Sequence, residues 1–292
     1  MTTCSVVMSV FNGEDFLQEA IESVLNQSLK DFEFIIINDC STDKSLEIVQ
    51  FYQDKRIILI QNDINIGLAA SLNLGVSIAK NPYIARMDAD DIMLNNRLEK
   101  QTEFLDSNKK IGVCGSFAIE IDKNSNEKGL IKTATGAHLN FAKWIPSPVI
   151  HSSVMIRTEL LKNNLYDISL DSAQDYDLWL RLLMQGVGFY NIKSPLLKYR
   201  IHTKSITQSK LSSQSKNAYS SFIKQTKLPE ISYRSFLSFC LQNYETGVFS
   251  RFFDAIKVQK RLKLSFLGLI INLFRYFIFK YILKKENLVN GI

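Results

Sequence analysis

The sequence predicts an α/β protein with a mostly parallel central sheet flanked by helices and a helical C-terminal extension. Three observations carry this. Short apolar runs alternate with helix-period segments over residues 1–100. The runs are near-continuously apolar, as strands covered on both faces must be. Each ends in a small polar turn, where an open α/β sheet forms its ligand crevice.

Ser5–Val10 is the first strand, and Asn12 and Gly13 turn the chain. Phe16, Leu17, Ala20, Ile21, Val24 and Leu25 recur at helical spacing, with Glu14 and Asp15 at the positive end of the helix dipole. Phe32–Ile37 is the second strand and stops at Asn38-Asp39-Cys40-Ser41-Thr42-Asp43, a turn rich in helix caps for the segment carrying Leu46, Val49 and Phe51. Arg56–Ile60 gives a third strand, and a polar turn follows over Gln61–Gly67. Leu68, Leu72, Val76 and Ala79 mark the next helix, which Asn81-Pro82 ends. Tyr83–Met87 is the fourth strand, and a helix is expected over Asn95–Asp106. Right-handed crossovers between such units bring all the strand C-termini to one edge. Asn12, Asp39, Gly67 and Asp88–Asp91 would then line one crevice.

The second half reads as a long strand over Ile111–Ile121, an exposed turn over Asp122–Gly129, and a break at Pro146 and Pro148 before a strand at Ser153–Ile156. A helix carries Leu178, Leu182 and Leu183; Val187–Ile192 and Leu196–Ile201 read as two further strands. Between His202 and Asn217 the composition turns to Ser, Thr, Lys and Gln, as in a linker or mobile loop. The pattern is helical again from Ala218.

The chain has 292 residues, 46% apolar and 22% charged, which suits one large α/β domain with an appendage and excludes a disordered protein. Cys4, Cys40, Cys114 and Cys240 are scattered, so neither a disulfide framework nor a zinc site is expected. The start lacks a secretory pattern, and a cytoplasmic location is expected. Net charge is +6, with the excess after residue 200, which suggests an anionic partner: a membrane surface, or nucleic acid. Nucleic-acid binding would rest on positive charge alone and is not expected.

The chemistry gathers at Met87-Asp88-Ala89-Asp90-Asp91. Asp88 and Asp90 share one side of an extended backbone. Carboxylates this close repel one another unless a cation shares them, and a hard divalent ion such as Mg²⁺ or Mn²⁺ takes oxygen ligands together with substrate phosphates. The plain alternative is an Asp-rich turn with Asp91 capping the next helix.

Five segments occur in order: Ser9-Val10-Phe11-Asn12-Gly13, Asn38 to Asp43, Asn65-Ile66-Gly67-Leu68-Ala69, Met87 to Asp91, and Gln174-Asp175-Tyr176-Asp177-Leu178-Trp179-Leu180. Together they resemble family 2 of the glycosyltransferases, which has the Rossmann-like GT-A fold and inverts configuration at the anomeric carbon of a nucleotide-activated sugar. The resemblance implies a transferase domain over residues 1–205, with a nucleotide-sugar half (1–100) and an acceptor half (101–205). Phe11, Asn12 and Glu14 would border the base and ribose, with Gly67 in the same crevice. Asp39 would accept a hydrogen bond from the base, taken as uracil. Asp88 would contact ribose or metal, Asp90 would bind Mn²⁺ or Mg²⁺, and Asp175 would be the catalytic base. Where the family has Glu before that base, this chain has Gln174. Arg86 has two readings, a partner for one of the carboxylates or a contact to the diphosphate. The Tyr-Arg-x-His pattern ending at His202 also resembles the family: His202 could complete the metal shell and Arg200 hold a phosphate, or both could sit in a solvated loop. For Asp175 the plain alternative is a Ser172-x-x-Asp175 capping box. Asp177 reads as a first-turn charge, Trp179 as core, and His151 as an ordinary satisfied histidine.

In region 206–292, Lys257, Arg261, Ser265, Gly268, Asn272 and Arg275 form one polar stripe on a helix, and Phe266, Ile270, Leu273, Phe274 and Phe277 face away from it. The longest charge-free run is shorter than the ~20 residues that span a bilayer. A basic stripe opposite an aromatic face suits a helix lying in the membrane interface; the alternative is a helix packed on the domain. With the resemblance, this implies transfer from a UDP-sugar to a lipid-linked glycan in surface polysaccharide (O-antigen or capsule) synthesis, at the inner face of the cytoplasmic membrane. The competing readings are a sugar-nucleotide pyrophosphorylase, which the acidic Glu14 and Asp15 fit poorly, and a non-catalytic nucleotide-sugar-binding protein of the same fold.

Overall fold

The computed structural model describes residues 3–133, 147–203, 211–227 and 229. Its first half follows the predicted alternation: β1 (Cys4–Val10), α1 (Leu17–Leu25), β2 (Phe32–Asn38), α2 (Ser45–Phe51), β3 (Ile57–Gln61), α3 (Leu68–Ile78) and β4 (Tyr83–Asp88). There follow β5 (Ile92–Met93), α4 (Arg97–Ser107), β6 (Ile111–Ile121), β7 (Glu127–Ile131), a 3-10 turn (His151–Ser153), β8 (Met155–Arg157), α5 (Thr158–Lys162), α6 (Gln174–Met184), β9 (Gly188–Arg200) and α7 (Leu211–Thr226).

One nine-stranded sheet has the order β3-β2-β1-β4-β8-β6-β9-β5, with β7 paired to β6. β1 to β4 are mutually parallel, and β6 and β9 run the same way; β5, β7 and β8 run against them. The expected mostly parallel α/β fold is therefore what the chain adopts.

Burial on both faces explains the apolar runs. Val6, Met8, Phe34, Ile36, Ala85 and Met87 point to one side, into a core completed by Leu17, Ile21 and Val24 of α1 and Leu98 and Leu105 of α4. Val7, Ile35, Ile37 and Ile84 alternate to the other side, against Leu72 and Val76 of α3 and Leu178, Trp179 and Leu182 of α6. Gly75 lets α3 approach this closely, because a Cβ there would sit 2.5 Å from Val7 Cγ1.

Several expectations change. The two strands read over Val187–Ile201 are one. Pro195 lacks the ladder N–H, and the register with β6 jumps from Ile192 to Pro195, so a bulge absorbs the break without ending the strand. The exposed turn over Asp122–Gly129 is the tip of the β6–β7 hairpin, with strand resuming at Glu127. The expected strand at Ser153 begins at Met155, after the 3-10 turn. α7 starts at Leu211 inside the expected linker and packs on α6; its Phe222 is fully buried. Phe51 ends α2 as read and is 81% exposed. Pro146 and the basic, aromatic segment beyond residue 229 lie outside the described residues. Among the described residues, no helix is long and apolar enough to cross a membrane.

Candidate active site

The C-terminal ends of β1, β2, β3 and β4 assemble one edge. After β1 the chain turns at Asn12, whose φ of 52° is a left-handed conformation that Asn tolerates. The Asn12 Oδ1 accepts from the Thr42 amide at 2.8 Å, and the Asn12 amide donates to Ser41 Oγ at 3.1 Å. The Glu14 amide donates to Asp43, and Glu14 Oε2 accepts from the Lys44 amide at 3.0 Å. The two loops are thus zipped together beside Phe11, which is 51% exposed.

Asp39, at the end of β2, organises the next loop. Its Oδ1 accepts from Asn62 Nδ2 at 2.8 Å and the Ile66 amide at 2.9 Å; its Oδ2 accepts from the Gly67 amide at 2.9 Å. A carboxylate offers about four lone-pair sites, and these three donors leave one, on Oδ2, unassigned among the described residues. Gly67 adopts φ 86°, which admits a residue without Cβ as the loop enters α3.

At the end of β4, Asp88, Asp90 and Asp91 each place a carboxylate oxygen within 4.8 Å of the others. His202 Nε2 lies 2.9 Å from Asp90 Oδ2. Asp91 does not cap α4, where Asn96 precedes the helix; it is buried and accepts from the Arg200 amide at 2.8 Å. Burial pushes the Asp91 carboxyl well above the usual carboxylate range, and the negative charges of Asp90 and Asp88 push the same way. Burial also raises Asp88, against the pull of the Arg86 guanidinium, with which it forms an ion pair. Three hard oxygen donors crowded against mutual repulsion, with an imidazole beside them, are a donor set that fits a hard divalent cation.

Asp175 stands in the first turn of α6, where no side chain caps the helix, so Ser172 makes no capping box. Burial raises the Asp175 carboxyl above its ordinary value, opposed by the Tyr176 amide and by Arg86. Asp175 in turn raises Asp88, so the two carboxylates sense one another. Arg86 lies between these groups. It is buried, and burial works against its charge, but Asp88 together with Tyr166 and Asp91 holds its pKa up. Its Nε has no hydrogen-bond partner among the described residues. His151 pairs with the Tyr166 hydroxyl at 2.8 Å and, through burial and then Arg86, is held well below its usual range; it is a satisfied histidine. Trp179 is core, fully buried.

Three residues take places that sequence reading did not give them. Arg200 is not free for a phosphate. It is 2% exposed, donates from Nε to the Asp90 carbonyl at 2.7 Å, reaches Ser125 Oγ at 3.0 Å from Nη1, and pairs through Nη2 with Glu19. Asp177 is a first-turn charge of α6 as read, but it is buried and paired with Arg181 at 2.8 Å, a partner the sequence reading did not give it. Arg97 was missed altogether. It lies fully buried under the acidic turn and donates to the carbonyls of Arg86 (2.8 Å), Ser152 (2.7 Å) and Val154 (3.1 Å). Burial pushes its pKa down to about 9.

Comparison with known proteins returns one family model, described as glycosyl transferase family 2, over residues 5–165. An uncharacterized glycosyltransferase of Methanocaldococcus jannaschii is 40% identical over 221 residues, 74% of this chain and 76% of that protein. The Escherichia coli enzyme WfaP, named as a UDP-Glc:α-D-GlcNAc-diphosphoundecaprenol β-1,3-glucosyltransferase, is 29% identical over 210 residues, 72% of this chain and 82% of its own. Among solved structures, S. aureus TarS in complex with UDP-GlcNAc matches with a TM-score of 0.68 at 18% identity, covering 89% of this chain and 83% of that one.

Proposed function

This chain belongs to glycosyl transferase family 2 and has the GT-A fold; on that premise we propose that it is a metal-dependent, inverting hexosyltransferase. The donor in this reading is a UDP-sugar and the acceptor a hydroxyl of a lipid-linked glycan in surface polysaccharide assembly. The observation that carries it is the acidic trio at the end of β4, on the sheet edge where β2 ends in Asp39, with Asp175 near enough to raise the Asp88 carboxyl. The WfaP name supports the donor and acceptor classes, since that enzyme is named for UDP-Glc and a diphosphoundecaprenol-linked sugar.

In this reading the base and ribose lie against Phe11, Asn12, Glu14 and Gly67, with the uracil imide donating to the remaining site on Asp39 Oδ2. Asp88 orients the ribose or joins Asp90 and His202 in holding Mn²⁺ or Mg²⁺, with Asp91 as a further oxygen donor. When bound, such an ion supplies Lewis-acid stabilisation of the charge that grows on the diphosphate. Arg86, buried and short of one partner, holds Asp88 in place and adds positive charge on the same side. Asp175 takes the proton of the acceptor hydroxyl, a poor nucleophile at neutral pH. Inversion needs one such base on the face opposite the leaving group.

A thermal-shift panel of UDP, GDP, dTDP and ADP, each with Mn²⁺ or with EDTA, tests the donor and metal together. UDP with Mn²⁺ at a hundred times Kd should add about 2.7 kcal/mol, read as a rise of several degrees in Tm. An equal rise in EDTA would remove the metal from this account, and no rise with any nucleotide would remove the donor site.

The C-terminal basic segment is proposed to hold the enzyme on the inner face of the cytoplasmic membrane. In flotation with vesicles containing anionic phospholipid, the full chain should rise with the lipid, and a chain ending before residue 255 should not. A full chain that stays at the bottom of the gradient would count against the anchor.

A further inference from the structure

We infer that α7 is a positioning element for the acceptor side of the site, acting through Asn217 on the turn that presents Asp175. The inference rests on the reading of Asp175 as the base. Asn217 does not touch Asp175, and its role is to hold the backbone that carries it.

The entry to α6 is poorly secured by its own residues. No side chain caps the helix, and Ala173, just before it, sits at φ 59° and ψ 22°. That left-handed conformation is strained for a residue with a Cβ, and it persists only where the surroundings impose it. Here α7 imposes it. The Asn217 side-chain amide donates to Asp171 Oδ1 at 2.6 Å and to Ser172 Oγ at 2.9 Å, and lies 3.4 Å from the Ser172 carbonyl. An amide carries two hydrogens, so the first two contacts dominate. Both partners immediately precede Ala173, and Ser172 is buried.

A second tie lies on the other flank of Asp175. Gln225 Nε2 donates to Asp177 Oδ1 at 3.1 Å, and the other Asp177 oxygen is held by Arg181. Asn217 and Gln225 are spaced to share one face of α7, and Ser221 and Phe222 between them are buried. The Lys224–Asp167 pair at 3.3 Å is more exposed and contributes little. α7 therefore grips the chain before and after Asp175 and fixes the turn between.

The test uses the full chain. Turnover is read as UDP release from UDP-glucose, UDP-galactose or UDP-N-acetylglucosamine, whichever the wild type uses, onto a polyprenyl-diphosphate-linked GlcNAc. Asn217→Ala should lower kcat by about tenfold or more, since small misplacements of a reacting group are costly. UDP affinity with Mn²⁺ should stay within about twofold. The Asp177 amide, which donates to the Ala173 carbonyl, should exchange faster with solvent. Asn217→Asp should lose as much turnover, because it sets an acceptor against Asp171. Combining it with Asp171→Asn should restore most of the loss, since donor and acceptor then change places.

Wild-type turnover in Asn217→Ala, a fall in UDP affinity that tracks kcat, or no recovery in the paired variant would each overturn the inference. An active Asp175→Asn would instead remove the base reading on which it stands. An inactive Asp175→Asn beside an unaffected Asn217→Ala would overturn the role of α7 alone.

Discussion

Asp175→Asn is expected to lower kcat by about 10²–10⁴-fold, the usual contribution of a positioned general base. UDP and Mn²⁺ should still stabilise the variant, because Asp175 is not among the residues proposed to hold either one. The pH dependence gives a second readout. Burial raises the Asp175 carboxyl, so it stays protonated at pH values where an ordinary carboxylate is already ionised. Turnover should fall as pH drops through that raised value, because only the ionised form accepts a proton. Stability should move the other way. A raised carboxyl favours the fold only while protonated, and that advantage is lost as pH rises through the folded value. At neutral pH the ionised side chain is a cost, which Asn removes. The variant should therefore be as stable as wild type or slightly more so at pH 7, and the gain should vanish in acid. Near-wild-type turnover, or an unchanged acid limb in the variant, would sink the assignment.

The parallel half of the fold was legible because of its burial. A strand covered on both faces has no room for polar residues, so Phe32–Ile37 and Tyr83–Met87 announce themselves, and the polar residues that stop them mark the sheet edge. The same logic puts Asp39 and Asp88–Asp91 on one edge from the sequence alone. It fails where a partner is distant in sequence. Asp91 reads locally as a helix cap, and its actual donor is the Arg200 amide, 109 residues away. Arg97 reads as one more polar residue in a helix, because nothing local says that three carbonyls where β4, β8 and the 3-10 turn meet need a donor. Pro195 reads as a strand break, because a bulge is set by the neighbouring strand's register. Asn217 sits among Ser, Lys and Gln, a composition typical of linkers, and only packing against α6 reveals α7 as structural.

Arg200→Ala is expected to cost about 3 kcal/mol of stability, the low end for removing one partner of a buried ion pair. The low end applies because Glu19, the partner carboxylate, is 46% exposed and regains water. The larger part of the loss lies elsewhere. The guanidinium joins the Asp90 carbonyl, the Asp122 carbonyl and Ser125 Oγ, and covers the Phe16 ring with its carbon 4.5 Å from the centroid. It thereby ties the acidic turn to α1 and to the β6–β7 hairpin. Removing it leaves the Asp90 carbonyl without that donor. It also loosens His202, whose ring packs on the same Phe16 at 4.8 Å. Metal-dependent nucleotide stabilisation should therefore weaken together with the fold, although Arg200 meets neither ligand in this account. Arg200→Lys should recover little, since an ammonium on a flexible stem cannot reproduce a planar fork reaching four partners. Urea unfolding, with and without UDP and Mn²⁺, reads both effects. A loss below about 1 kcal/mol with the nucleotide increment intact would show that the acidic turn holds its shape without this clamp.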